Sequence, residues 1–226
     1  MISRYALYDI AKLTDCFNLT QGLPKGVKPS YNISPTTSAP IIVTSEGARV
    51  VKLMKWGLVA KGAKDTNSVF RYKTYDTPLE SIFSRHSSEQ AIRERRCLIP
   101  ANGFYELSRS GEKRAFYAHP SNKSLLAFAG VYSSWQDPEG TIHDTFSIIT
   151  TRANDDMPDP EMRMPVIIRP KDEERWLDPS ATSTNDFYSA LRPYASGELT
   201  AYEVSPDVHS PKLNQPRLIE RIWAWD

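Results

Sequence analysis

Side chains that could act as nucleophiles or metal ligands are few in this sequence and widely spaced. Cys16 and Cys97 are its two cysteines, too few for a disulfide framework or a cysteine metal cage, so both are expected to be reduced thiols. The four histidines show no ligand spacing. The sequence also lacks a glycine-rich phosphate loop, a Gly-x-Ser-x-Gly elbow and a zinc-protease motif. We therefore expect neither a metal nor a cofactor.

Five short segments follow one another in an order that is typical of one protein family. They are Tyr31–Pro35, Lys55–Leu58, Arg96–Glu106, Ala127–Gly130 and Arg163–Ile167. Together they resemble the SOS-response-associated peptidase (SRAP) family of abasic-site-processing proteins. The resemblance covers roughly residues 1–216, and its most specific parts are the third and fifth segments.

The resemblance implies a covalent chemistry that begins at the amino terminus. In the family the initiator methionine is removed, and the cysteine that follows it offers an α-amine and a thiol. An abasic site in single-stranded DNA opens to an aldehyde, the amine condenses with it to an imine, and the thiol closes a stable five-membered thiazolidine ring. The amine suits the first step because its pKa of about 7.7 to 8.0 leaves part of it neutral near pH 7.

This sequence has Ile2 at the position of the family's cysteine. A hydrocarbon side chain cannot close the ring, so a stable crosslink is not expected. A bulky second residue also favours retention of Met1, whose amine then lies one residue further out than the site expects. A transient imine formed by the Met1 amine is the alternative.

Two glutamates stand where the family handles protons. The resemblance places Glu106 beside the amino terminus, where its carboxylate could hold the α-ammonium group through a charge-assisted bond. The alternative is a solvated glutamate at a strand end. Glu161 stands at the position of the family's histidine, and glutamate at pH 7 is only an acceptor unless burial raises its pKa. Retained catalysis is not expected, because the remaining groups cannot restore a missing covalent step.

The family's Asn-x-Arg-x-Glu-Thr stretch fits this sequence in two registers. Alignment on Asp76 places the asparagine on Tyr72 and the arginine on Thr74. A shift by one residue selects Arg71 and Lys73 instead. Both registers remain open, and the asparagine is absent in either.

The resemblance further implies a narrow positive groove that holds single-stranded DNA and leads to the amino terminus. Phosphates meet arginines there and bases rest on aromatic or proline faces, a combination that tolerates any base sequence. The candidate positions in this chain are Arg4, Asn32, Pro35, Trp56, Tyr72, Lys73, Thr150 and Arg163. For Trp56, a place in the core is an equal alternative.

Two clusters of basic residues lie outside these positions. One is Arg93, Arg95 and Arg96, and the other is Lys61 with Lys64. Either cluster could widen a phosphate track, although runs of charge are more often solvated faces.

Length and composition favour one domain that spans residues 1–226. The 226 residues are 40% apolar, enough to bury a substantial core. The net charge of +1 means that any nucleic-acid surface must be a local patch. No signal-peptide layout and no run of about 18 apolar residues is present. We expect a cytoplasmic monomer without membrane contact.

The apolar pattern predicts a mixed α+β domain. Helices are expected at residues 8–18, 79–93, 171–177 and 185–192, and strands at residues 41–43, 50–54, 125–132 and 145–150. Hairpin turns are predicted at Gly47 and at residues 137–140. The resemblance implies a strongly curved antiparallel sheet that closes toward a barrel, with short helices on its flanks.

Three functions remain in competition. The leading hypothesis is a diverged, non-crosslinking pseudoenzyme that still binds single-stranded DNA. The second is an active enzyme in which the Met1 amine forms a reversible imine, with Glu106 and Glu161 as proton carriers. The third is a module that binds a peptide or protein in the same groove.

Overall fold

The computed structural model of the protein describes residues 2–59, 73–84, 86–107, 114–137, 139–159, 161–192 and 194–222. Within these ranges the strands are β1 (Arg4–Leu7), β2 (Ser30–Ile33), β3 (Ser38–Ser45), β4 (Ala48–Trp56), β5 (Asp76–Pro78), β6 (Arg96–Ala101), β7 (Gly103–Leu107), β8 (Ala115–Pro120), β9 (Leu126–Gln136), β10 (Ile142–Arg152), β11 (Arg163–Pro165), β12 (Ile167–Ile168) and β13 (Leu199–Val204). The α-helices are α1 (Leu13–Cys16), α2 (His86–Glu94), α3 (Glu173–Leu177) and α4 (Thr184–Tyr188). Short 3₁₀ turns span Ile10–Lys12, Leu79–Ser81, Pro170–Asp172, Pro206–His209 and Pro216–Ile219.

Five strands close on themselves into a barrel. Their order is β10, β4, β3, β6 and β9, and β9 pairs back onto β10. Closure leaves no unpaired edge among these strands. The expected mixed α+β fold with a barrel-like sheet is therefore confirmed. One detail differs from the expectation, because β10 runs parallel to β4 and to the short β5 and is antiparallel to its other neighbours.

A second sheet of five antiparallel strands carries the start of the chain, in the order β13, β8, β7, β1 and β2. Side chains alternate between its two faces, as expected for a sheet covered on both sides. Tyr5 and Leu7 pack in the large apolar cluster shared with the barrel. Ala6 and Tyr105 pack on the other face, in a smaller cluster with residues of the 206–219 segment.

Both predicted hairpins are confirmed. Glu46 and Gly47 connect β3 to β4 with φ angles of 51° and 77°. Two successive positive φ values are the geometry of the tight turn that matches the twist of paired strands. The second turn joins β9 to β10: Gln136 pairs with Ile142, and the Gly140 N–H donates to the Asp137 carbonyl at 3.0 Å.

The predicted helices form, but they are shorter than their apolar patterns. The expected helix at 79–93 is wrong as one element: a 3₁₀ turn at Leu79–Ser81 comes first, and α2 begins at His86. Ile82, directly after that turn, is buried in the large apolar cluster. Tertiary packing of this residue is favoured over its place in one continuous helix. The segments at 8–18 and 171–177 likewise divide into a 3₁₀ turn and a short α-helix. None of the described helices has the length and apolar character needed to cross a membrane.

Candidate functional site

The second residue of the chain lies in the large apolar core. Ile2 is 0% exposed and belongs to the large apolar cluster. The backbone N–H of Ile2 is one of the groups that lower the pKa of the carboxyl of Asp76, the first residue of β5. Arg4 in β1 pairs with Tyr105 in β7, so the residue that precedes β1 lies beside Glu106. The residue at the family's cysteine position is therefore buried hydrocarbon.

Glu106 is not a solvated glutamate at a strand end. Glu106 is only 3% exposed, and it lies in β7 opposite Phe116 of β8. The alternative of an exposed position, left open by the sequence, is wrong. A buried carboxylate is costly unless neighbouring groups compensate it.

A chain of hydrogen bonds links three side chains next to Ile2. The Thr150 hydroxyl donates to Asp76 Oδ1 at 2.5 Å, and Arg163 Nε donates to that hydroxyl at 3.1 Å. Arg163 Nη2 also donates to the Thr150 carbonyl at 2.9 Å. Burial raises the pKa of Asp76 above its ordinary value, while the bonds from Thr150 and Ile2 and the charge of Arg163 oppose that rise. The sequence predicted Thr150 and Arg163 as site residues, and the structure brings them together.

Arg163 meets a carboxylate on its outer side. Its Nη2 forms an ion pair with Glu80 Oε2 at 2.9 Å, with the arginine side chain 21% exposed and the glutamate side chain 46% exposed. Partial burial works against ionisation of Glu80, yet the hydrogen bond from Arg163 holds the pKa of that carboxyl below its ordinary value. Arg152, which is exposed, pairs with Arg163 across β10 and β11, so both guanidinium groups project from the same face.

Arg4 and Asn32 bind the 206–213 segment. Arg4 donates to the carbonyls of Val208 at 3.2 Å and His209 at 3.1 Å. The Asn32 amide nitrogen donates to the carbonyls of Val208, Ser210 and Leu213 at 2.9 to 3.2 Å. Asn32 is buried and its amide nitrogen is bonded to the backbone, and its predicted role toward DNA stays a prediction. Arg4 is half-buried, and its role toward DNA stays a prediction.

Trp56 is a core residue and not a stacking platform for DNA bases. It is 0% exposed, and its indole N–H donates to the Tyr75 carbonyl at 2.8 Å. Tyr5 packs edge-on against the indole and Phe146 stacks on it. The predicted contact with DNA is corrected accordingly, because no face of the ring reaches solvent.

The basic cluster at residues 93–96 is also structural. Arg96 is buried and donates to the carbonyls of Ile92 and Arg93 at the end of α2 and to those of Trp176 and Asp178 at the end of α3. Its guanidinium therefore satisfies carbonyls that two helix ends leave without partners. Arg93 pairs with Glu89 and Arg95 with Glu94 on the surface. No phosphate track forms from Arg96.

The remaining candidates are dispersed. Pro35 is half-buried just after β2, and Lys73 is exposed just before β5. Glu161 is exposed in the turn before β11, where its backbone N–H donates to Asp159. Met1, Tyr72, Arg71, Lys61 and Lys64 lie outside the described residues.

Two acids of the site were not predicted from the sequence: Asp76, which accepts from Thr150, and Glu80, which accepts from Arg163. In the sequence, Asp76 was used only as the alignment point for the family's Glu-Thr pair. An acidic residue at the position of the family's glutamate could itself have indicated a site residue. Glu80 carried no signal, because its contact with Arg163 joins residues 83 positions apart.

Relatives match along nearly the whole chain. Abasic site processing protein YoqW of Bacillus subtilis is 37% identical over 224 residues, which cover 97% of this chain and 99% of that protein. Abasic site processing protein YoaM of the same organism is 35% identical over 97% and 98% of the two chains. Abasic site processing protein HMCES of Gallus gallus is 28% identical, over 86% of this chain and 67% of its own.

Solved structures agree with the fold. A protein from Bacteroides thetaiotaomicron superposes with a TM-score of 0.84 at 25% identity, covering 97% of this chain and 99% of that chain. A protein from Bordetella bronchiseptica has a TM-score of 0.71 at 24% identity, with 90% and 99% of the two chains covered. The family described as SOS response associated peptidase matches residues 1–211. This protein therefore belongs to the SOS response associated peptidase (SRAP) family.

Proposed function

We propose that this protein binds single-stranded DNA containing abasic sites without forming the stable crosslink that a terminal cysteine permits. Its relatives YoqW and HMCES are named abasic site processing proteins. The observation that carries the proposal is Ile2, a fully buried hydrocarbon side chain next to the Asp76 carboxylate. Without sulfur at this position an imine has no partner to close the thiazolidine ring.

Neither cysteine replaces the missing thiol. Cys97 is fully buried in β6, and burial raises the pKa of its thiol far above the ordinary value, which keeps it protonated and unreactive. Cys16 is exposed on α1, which follows the far end of β1 from Ile2. The four residues of β1 alone span about 13 Å of extended chain, and residues 8–15 also lie between Ile2 and Cys16.

The site keeps groups that suit a DNA backbone. Arg163 and Arg152 project from one face, and Lys73 is exposed at the start of the segment that enters β5. A phosphate oxygen could take the place of the Glu80 carboxylate at Arg163, because both are anionic acceptors for the same N–H groups. Such contacts give binding that weakens as salt concentration rises.

The test is incubation with an abasic single-stranded oligonucleotide, with and without borohydride, beside the same oligonucleotide without the lesion. We expect salt-dependent binding of both oligonucleotides and no adduct that survives heating without reduction. A heat-stable adduct formed without borohydride would overturn the proposal. Binding that does not weaken with salt would favour a peptide or protein ligand for the groove.

A reversible imine at the Met1 amine is the second candidate. The observation in its favour is that two buried carboxylates, Asp76 and Glu106, remain near the start of β1 even though the cysteine is replaced. Borohydride reduces an imine to a stable amine, so trapping only in its presence supports this candidate. Mass spectrometry of the mature amino terminus then identifies which residue carries the amine.

A further inference from the structure

We propose that a cavity on the second sheet binds a nucleotide unit, that is, one aromatic base together with its phosphate. The cavity, here called the outer cavity, has a volume of about 330 Å³ and is lined by Tyr8, directly after the far end of β1 from Ile2. This volume lies within the range of small-molecule sites. Six residues of chain separate Tyr8 from Ile2, a distance of at most about 22 Å. The proposal goes beyond the proposed function, because it needs no aldehyde and no amine.

Four aromatic rings line the outer cavity. Tyr117 and His119 lie two residues apart in β8, so their side chains share one face of the sheet. Tyr202 in β13 pairs with Tyr117, and its ring centroid lies 6.0 Å from that of Tyr117 and 5.7 Å from that of His119. Tyr8 adds the fourth ring. Aromatic faces of this kind stack on any nucleobase.

Two of these rings are held by contacts outside the outer cavity. Tyr31 stacks on Tyr8 with a centroid distance of 4.9 Å and an angle of 14° between the planes. The Tyr202 hydroxyl donates to the Ile219 carbonyl at 2.8 Å. A binding surface whose side chains are already ordered loses less entropy when a ligand binds. The outer cavity is therefore prepared for a flat ligand.

The floor of the outer cavity depends on a glycine. A Cβ at Gly103 would lie 2.6 Å from the hydroxyl oxygen of Tyr117 and 2.5 Å from the Ala118 carbonyl oxygen, closer than real Cβ atoms approach. Gly103 therefore lets the Tyr117 ring lie directly against β7. Tyr117 is 1% exposed, so its ring closes the cavity from below.

Polar groups are available beside the rings. The Asn102 side chain is buried, and its Oδ1 accepts from the backbone N–H groups of Tyr8 and Asp9 at 2.7 and 3.0 Å, which fixes the chain after β1. The His119 Nδ1 bonds to the Pro120 carbonyl at 2.9 Å. Because a carbonyl only accepts, that nitrogen carries the proton, and Nε2 of the neutral ring is an acceptor. An exocyclic amino group of a base matches such an acceptor.

The rim of the outer cavity carries an excess of positive charge. Lys12 and Lys123 are exposed there, and Asp9 pairs with Lys12 at 2.7 Å. Among the described lining residues, two lysines therefore face one carboxylate, with His119 as the remaining titratable cation. A phosphate is complementary to this charge. A simple anion would not use four rings, and an uncharged aromatic ligand would not use the lysines, so the combination favours a nucleotide.

The experiment is an NMR titration of the full-length protein with 2′-deoxyadenosine 5′-monophosphate (dAMP). We expect saturable shifts of the aromatic signals of Tyr8, His119 and Tyr202. Deoxyadenosine, which lacks the phosphate, should bind more weakly, and ribose 5-phosphate, which lacks the base, should cause no saturable shift. No saturable shift with dAMP, or equal binding of ribose 5-phosphate, would overturn the proposal.

Tyr202→Leu tests the stacking and keeps an apolar side chain in β13. Loss of one ring should weaken dAMP binding about ten-fold. Lys52→Gln is the control, because Lys52 is exposed on β4 in the barrel, and its affinity for dAMP should equal that of the wild type. Equal affinities of folded Tyr202→Leu protein and the wild type would contradict the role of the rings.

Lys123→Gln covers the case in which Tyr202→Leu fails to fold, since Lys123 is exposed in the turn after β8. Its dAMP affinity should fall about two- to five-fold at low salt, while its affinity for deoxyadenosine stays constant. An unchanged dAMP affinity would overturn the phosphate contact.

A short deoxyadenosine oligonucleotide without an abasic site identifies the source of the nucleotide unit. Shifts of the same signals at a lower concentration than dAMP requires indicate a DNA strand, whereas shifts by dAMP alone indicate a free nucleotide. Neither probe has an aldehyde. Failure of the abasic-site proposal and failure of this one therefore give different results.

Discussion

Arg163 donates to the Glu80 carboxylate from Nη2 at 2.9 Å and from Nη1 at 3.4 Å on the outer side of the site, while its Nε and Nη2 donate to Thr150. The ion pair is partly exposed, so it contributes only about 0 to 1 kcal/mol to stability. A DNA phosphate can therefore displace Glu80 at little cost. The pair makes Glu80 a competitor of the ligand that Arg163 is proposed to bind.

Glu80→Gln should strengthen binding of single-stranded DNA. Removal of the competing carboxylate frees the guanidinium and removes a repulsive charge, so we expect the affinity to rise about two- to five-fold at low salt. Fluorescence anisotropy with a labelled oligonucleotide measures the change. Glu198→Gln is the control, because Glu198 forms a similarly exposed ion pair with Arg169 at 3.0 Å. Equal affinities of the two variants would contradict the prediction.

Arg163→Gln should weaken binding of every oligonucleotide by a similar factor. Loss of one phosphate contact predicts about a ten-fold lower affinity and a salt dependence that is shallower by about 0.7 in the logarithmic slope. Arg175→Gln serves for comparison, since Arg175 is exposed on α3 and contacts Ser189 instead. The predicted role of Arg163 is ruled out if both variants keep the wild-type slope.

Ile2→Cys should restore a stable adduct with abasic DNA. The small second residue favours removal of Met1, so the new terminus offers an amine and a thiol together. We expect an adduct that survives heating, formed slowly because the family's asparagine and histidine are still absent. Denaturing gels and intact-protein mass spectrometry detect it, and the lost methyl groups of a fully buried side chain should cost about 1 to 2 kcal/mol of stability.

Ile2→Ser is the matched control for that experiment. Serine also favours removal of Met1 and has a similar size, but it has no thiol. A heat-stable adduct with Ile2→Ser would show that sulfur is not the missing element.

Arg96→Met should destabilise the fold without affecting the DNA site. The substitution leaves four carbonyls at the ends of α2 and α3 without their donor, so the free energy of unfolding should fall by about 3 kcal/mol. Urea denaturation measures it. Arg93→Met removes an exposed ion pair with Glu89 and should cost less than about 1 kcal/mol. A comparable loss for both variants would contradict the capping role.

Asp76 should make stability depend on pH in a direction opposite to most acids. Burial raises its pKa in the folded protein above the ordinary value of 3.8, so the folded state binds the proton more tightly than the unfolded state. The stabilisation that protonated Asp76 provides is complete below its pKa in the unfolded state. It is lost as pH rises through its pKa in the folded state. Relative to Asp76→Asn, the wild-type free energy of unfolding should therefore fall across that interval and stay level above it.

Urea titrations from about pH 3 to about pH 7 measure this difference. Asp178→Asn gives the opposite control: hydrogen bonds from Ser180 lower the pKa of Asp178, so its contribution is lost as pH falls. A wild-type curve parallel to that of Asp76→Asn would exclude the predicted titration.

The absence of a terminal thiol, the two hairpins and the family could all be derived from the sequence. Ile2 is a matter of residue type, so the hydrocarbon at the position of the family's cysteine could be identified directly from the sequence. The turn at Gly47 is equally local, because positive φ values within two residues determine it.

The burial of Trp56 and Asn32 and the hydrogen bond between Thr150 and Asp76 were decided only by the tertiary structure. A tryptophan beside apolar residues has the same local pattern whether it faces a core or a groove. Asp76 accepts the bond from Thr150 because β5, which carries Asp76, pairs with β10 on the closed barrel. Contacts of this kind join residues more than seventy positions apart, and local periodicity carries no information about which distant strands become neighbours.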